Sequence, residues 1–183
     1  MRSRLDHLVY ATPDLWATVR ELEKLLGAAA TLGGRHPAWG TRNALLSLGP
    51  PVYLEVIGPD PAVGRSADRR PYGLEGLRAP RLSTWVARDE KLESVVRTAR
   101  SLGVELGEVQ RRSREKPDWG DSPHPAVDAA VGCRLHAFGG VHPDADRIRS
   151  VLRGLDLDLP VTPGEKPCLI AEITGPKGKL EIR

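Results

Sequence analysis

The chain has 183 residues, 40% of them hydrophobic and 28% charged, with a net charge of +3. That length suits one domain, or two small fused modules sharing a core, and buries enough surface that neither a disulfide framework nor a structural metal is required for folding. No stretch approaches the roughly 18 apolar residues of a membrane span, and the first residues carry no apolar leader core, so a cytoplasmic protein without a membrane partner is expected.

The positive charge comes from 21 Arg and 6 Lys scattered along the chain. The densest run, residues 111–116, lacks the interleaved aromatic side chains that would stack on bases, so no nucleic-acid partner is expected. Cys133 and Cys168 are isolated, one at the head of each of two apolar segments, and read as small buried hydrophobes kept reduced.

Taken in chain order, the first strand runs from Leu5 to Ala11. Thr12-Pro13-Asp14 then supplies an N-cap hydroxyl, a proline for the first helical position and an acid for the first turn. Leu15, Val19, Leu22 and Leu26 recur at helical spacing, and Gly27 stops the helix. Three strands follow, over 28–34, 41–48 and 52–57, separated by glycine- or proline-rich turns. Residues 60–80, rich in Pro, Gly and Arg, form a connecting insertion with one short helical turn.

A second copy of this grammar starts with a strand over 82–88 and a helix whose apolar stripe is Leu92, Val95, Val96, Ala99 and Leu102. It keeps one more strand, over 105–112, and then breaks into the loop-like Pro-, Gly- and Asp-rich stretch 116–125. A third copy begins with a strand over 134–141. His142-Pro143-Asp144 repeats the Pro-Asp helix start, and Ile148, Val151, Leu152 and Leu155 form the stripe. Strands over 159–162, 169–174 and 179–182 complete it. The reading is an α+β fold of repeated βαβββ modules, with curved, mostly antiparallel sheets and helices packed outside. Its divisions are 1–59, a connecting insertion 60–81, a shortened module 82–125, and 126–183. Paired modules enclose a cleft, which is a natural small-molecule site.

Several segments carry a resemblance to a known family. They are Leu5-Asp6-His7-Leu8-Val9-Tyr10-Ala11, Gly33-Gly34-Arg35-His36-Pro37, Gly40-Thr41-Arg42-Asn43, Tyr53-Leu54-Glu55-Val56-Ile57 and Trp119-Gly120-Asp121-Ser122-Pro123-His124-Pro125. With the Pro-Asp helix starts, they make the chain resemble the glyoxalase-like domain proteins of the vicinal oxygen chelate superfamily. That resemblance implies a divalent metal (Zn, Ni, Mn, Co or Fe) held by a His on the first strand and a Glu on the fourth, here His7 and Glu55. Alternation along the strands places His7 with Leu5 and Val9, and Glu55 with Tyr53 and Ile57. Imidazole and carboxylate suit such an ion and leave positions open for substrate oxygens.

A complete site in that family draws a matching pair from a second module. Ser83 and Ala137 stand where the second His would be, His136 is one residue out of register, and Glu181 echoes Glu55 as a third ligand. Ligand contacts are expected from His36, Trp39, Thr41, Arg42 and Asn43, and from Trp119, Asp121 and His124. These combine an anion fork, directional hydrogen-bond groups and stacking walls.

Two functions follow. The first is a metal-dependent lyase or isomerase acting on vicinal oxygens, with Glu55 as proton shuttle. The other is a metal-free protein of the same fold that binds or sequesters a small ligand. A small-molecule ligand is the expected partner in both, and edge strands left bare by the shortened module would pair two copies into a homodimer.

Overall fold

The computed structural model describes residues 5–63, 70–109, 129 and 131–183. The first unit runs β1 (Leu5–Ala11), α1 (Leu15–Leu26), β2 (Thr31–His36), β3 (Thr41–Ser47) and β4 (Tyr53–Pro59). Next come a 3-10 segment over Pro71–Gly76, β5 (Arg81–Ala87) and α2 (Leu92–Ser101). The last unit is β6 (Arg134–His142), α3 (Ala145–Gly154), β7 (Val161–Pro163), β8 (Cys168–Gly175) and β9 (Gly178–Ile182).

The helix boundaries follow from local chemistry. The Asp14 carboxylate accepts from the N–H of Ala17 at 3.0 Å and caps α1. The cap is therefore Asp14 rather than Thr12. The Thr12 hydroxyl instead accepts from the Asp14 N–H and bonds the Thr18 hydroxyl at 2.7 Å. Gly27 ends the helix at φ 77°, in the left-handed region open to glycine, with its N–H on the Glu23 carbonyl. Asp144 caps α3 in the same way as Asp14.

Two sheets result, both mostly antiparallel. The first has strand order β2-β3-β4-β1-β5, with β1 parallel to β4 and antiparallel to β5. The second has order β7-β6-β8-β9, with β6 parallel to β7. Both units run strand, helix and three strands, yet their pairing differs. The first strand of the first unit lies beside its fourth strand, and that of the last unit lies beside its second and third. Residues 105–109 carry no strand, and 110–112 of the expected strand lie outside the described residues.

One face of the first sheet holds the main core. Leu8, Leu46, Leu54 and Val56 meet Leu15, Leu22 and Leu26 of α1, and Ala171, Ile173 and Ile182 of the second sheet close the cluster. The helix and the second sheet thus share one side of the first sheet. Its other face carries a smaller cluster of Val9, Ala11, Ile57 and Leu74, with Tyr72 and Val86 packed against it. Leu5 departs from the alternation expected of β1. The register shifts between Leu5 and His7, and Leu5 joins the helix-side core.

Candidate functional site

The site lies on the face of the first sheet turned away from α1. β1 and β4 run parallel, with His7 opposite Tyr53 and Val9 opposite Glu55. The His7 and Tyr53 rings stack, their centroids 4.6 Å apart and their planes within 20°. His7 Nε2 lies 3.7 Å from Glu55 Oε2, and the side chains are only 15% and 13% exposed.

The remaining atoms of both groups are held by neighbours. Asp6 Oδ1 lies 2.8 Å from His7 Nδ1, and the other oxygen of Asp6 accepts from Arg88 Nε at 2.8 Å. In the neutral imidazole this contact places the proton on Nδ1 and turns the Nε2 lone pair toward Glu55. On the carboxylate, Oε1 accepts from Asn43 Nδ2 at 2.5 Å. The Asn43 oxygen in turn accepts the Gly34 N–H at 2.7 Å. That contact needs the irregularity between Leu32 and Arg35 in the β2–β3 pairing. It also needs Gly33, since a Cβ there would lie 2.1 Å from Asn43 Oδ1.

Nε2 and Oε2 are thus two electron-pair donors aimed at one another. Such an arrangement is repulsive unless a proton or a cation lies between them. The donor chemistry fits a borderline divalent ion, and Asp6 on the far ring nitrogen is the outer partner that metal-binding imidazoles usually have. Two donors would fill at most half of a four-coordinate sphere. Among the described residues, no group of three or more His, Cys, Asp and Glu side chains is placed to hold an ion.

Glu181 does not join the pair. It sits on β9 of the second sheet, opposite Glu172, is 45% exposed, and accepts from Arg183 Nε at 2.8 Å. The second sheet packs on the α1 side of the first, away from His7 and Glu55. His136 lies at a register shift in β6, exposed, 4.0 Å from Glu172. Beside β1, the residues of β5 opposite His7 and Val9 are Val86 and Thr84, neither of which is a ligand type for a second half-site.

The expected ligand contacts divide between the two faces. Thr41 and Asn43 alternate onto the face of Glu55, and Thr41 is fully buried with its hydroxyl 3.1 Å from His36 Nδ1. Trp39 sits at a tilt to His36, with ring centroids 5.9 Å apart. Arg42 instead turns to the helix side, its guanidinium 4.5 Å from the Trp16 ring centroid on α1. Strand parity would have separated it from Asn43. Trp119, Asp121 and His124 lie outside the described residues.

Two contributors were not singled out from the sequence. Asp6 could have been found as the acid preceding the strand histidine, whereas Arg88 comes from a distant segment and left no local signal. Close by, Arg35 Nε donates at 2.6 Å to Asp60, a residue 1% exposed. That hydrogen bond, with the Ala62 N–H and the charges of Arg35 and Arg42, holds the Asp60 carboxyl below the ordinary value of 3.8 against the opposing effect of burial.

The family model described as a glyoxalase-like domain matches residues 5–121. No curated protein matches the chain. Among solved structures, a hypothetical protein from Staphylococcus aureus is 14% identical, with a TM-score of 0.57, over 100% of this chain and 86% of that one. A methylmalonyl-CoA epimerase from Mycobacterium tuberculosis is 24% identical, with a TM-score of 0.46, over 62% of this chain and 76% of that one. A methylmalonyl-CoA epimerase in complex with methylmalonyl-CoA and NH4+ is 21% identical, with a TM-score of 0.45, over 62% and 79%. The family match spans well over half of the sequence and contains β1, β4 and the whole first sheet, so the chain belongs to the glyoxalase-like domain family of the vicinal oxygen chelate superfamily.

Proposed function

We propose that the protein is a metal-dependent lyase or isomerase that handles a small substrate with adjacent oxygens at His7 and Glu55. The observation that carries this reading is the opposition of His7 Nε2 and Glu55 Oε2 at 3.7 Å, each group fixed through its other atom by Asp6 or Asn43. A divalent ion (Zn, Ni, Mn, Co or Fe) bound by these two residues would polarise substrate oxygens and favour loss of a proton from the adjoining carbon.

The chain's own groups do the rest. Asn43 holds one Glu55 oxygen, so the other, Oε2, is the one that faces the ion, and only on leaving the ion would it accept the substrate proton and return it. Stacking on Tyr53 and the Asp6 contact keep the His7 ring in one orientation. His36, braced by the buried Thr41, and Trp39 extend the site toward the β2–β3 hairpin and offer polar and stacking contacts to the distal part of the ligand. The protein works in the cytoplasm, and β5, an outer strand of its sheet, is the edge through which two copies would pair.

Elemental analysis of the purified protein beside His7→Ala and Glu55→Ala tests the reading. Near-stoichiometric metal in the wild type and its loss in both variants is the expected result. No metal, together with no thermal shift on adding any of the five ions, would sink it. A second reading is then favoured by the Val86 and Thr84 positions on β5: a metal-free protein that binds or sequesters a small ligand. Ligand retention unchanged by a chelator would mark that function.

A further inference from the structure

We propose that Arg42 of β3, with Arg35 opposite it on β2, forms a binding site for a phosphate group on the α1 side of the first sheet. The site is separate from His7 and Glu55, which lie on the other face.

The placement follows from register. Arg35 pairs with Arg42, and His36 with Thr41. Residues directly opposite on antiparallel strands share a face, and neighbours along a strand alternate. His36 bonds Thr41 on the face of Glu55, so the two arginines stand together on the other. Two contacts agree. The Arg42 guanidinium lies over the Trp16 ring of α1, 4.5 Å from its centroid. Gly58, opposite Arg42 on β4, faces Leu15 and the Thr12 carbonyl at the head of the same helix.

Like charges directly opposite across a strand pair destabilise it, and here one acid answers two cations. Asp60, two residues beyond Gly58, has a fully buried side chain with both oxygens engaged. Oδ2 accepts from Arg35 Nε at 2.6 Å, and Oδ1 from the Ala62 N–H at 3.0 Å. The bond through Nε braces Arg35 and leaves its terminal nitrogens without a hydrogen bond among the described residues. Arg42 has neither an ion pair nor a hydrogen bond among the described residues, and its Nε is buried without a partner. The Trp16 ring fixes the guanidinium plane by its face and uses none of the N–H groups. A buried donor left unpaired marks the place of a missing acceptor. Two planar forks with one positive charge uncompensated match the several oxygens of a phosphate, whereas a carboxylate would be satisfied by a single fork.

Calorimetric titration of the full-length protein with inorganic phosphate, in chloride at constant ionic strength, tests the site. One saturable site is expected, and Arg42→Gln should bind about ten-fold more weakly, the loss of one charge-assisted pair. Arg42→Lys keeps the charge without the fork and should also weaken binding. It carries the test should the glutamine variant fail to melt cooperatively. His7→Ala should bind phosphate as the wild type does, and a loss there would overturn the proposal by moving the anion to the other face. No saturable binding by the wild type, unchanged affinity in either Arg42 variant, or acetate bound as tightly as phosphate would overturn it too. Phenyl phosphate, titrated in parallel, separates two sources of the group, both consistent with the site. Tighter binding than phosphate marks an organic ester as the ligand, and equal or weaker binding marks the free anion.

Discussion

Asn43 has both ends of its amide engaged inside the protein, the oxygen on the Gly34 N–H and the nitrogen on Glu55. It thus fixes the carboxylate that the proposed chemistry uses. Gly33→Ala would drive a methyl group into that amide, where the gap is 2.1 Å. The expected cost is about 1–3 kcal/mol in a denaturant titration, the usual range for overpacking, with weaker metal retention. Asp60 gives a pH prediction. Its folded-state pKa is lowered, so the stability it contributes is present above 3.8 and fades as pH falls through the folded value. Asp60→Asn should therefore be less stable than wild type near neutrality, and the two should converge in acid, as thermal melts across pH would read. At this scale the sequence was legible wherever strand alternation decides a facing, as for His7, Glu55 and Asn43. It was not legible for Arg88, whose role depends on which distant strand lies alongside.

The Pro-Asp signals before α1 and α3 mark real helix starts, because a side chain three residues upstream of an N–H can satisfy it without any tertiary partner. Asp14→Ala should accordingly cost about 1 kcal/mol, measurable as a drop in thermal midpoint with the site contacts intact. The stripe of α2 behaves differently. Leu92 and Leu102 are 49% and 36% exposed, and only Ala99 is fully buried. Its periodicity specified an amphipathic helix correctly, but burial needs a sheet beneath the helix, and residues 105–109 supply no strand. Strand order in the last unit was equally out of reach. Its element order matches that of the first unit, and pairing is set by contacts between strands far apart in the chain, which local patterns do not encode.

Across the whole molecule, the first sheet is covered on one face by α1 and the second sheet, and on the other by the segment bearing Tyr72 and Leu74. Zinc added to the metal-free wild type should raise its melting temperature, with about 2.7 kcal/mol of stabilisation at a hundred-fold excess over the dissociation constant. His7→Ala should show no such rise in the same differential scanning experiment. The parallel pairing of β1 with β4 adds a temporal consequence. The two halves of the proposed ion site are far apart along the chain and become neighbours only when the first unit has closed upon itself. An ion bound there would act as a clasp on the first strand, so its occupancy would record closure of the first unit, and a nascent chain that has not yet reached β4 would lack one of the two proposed ligands.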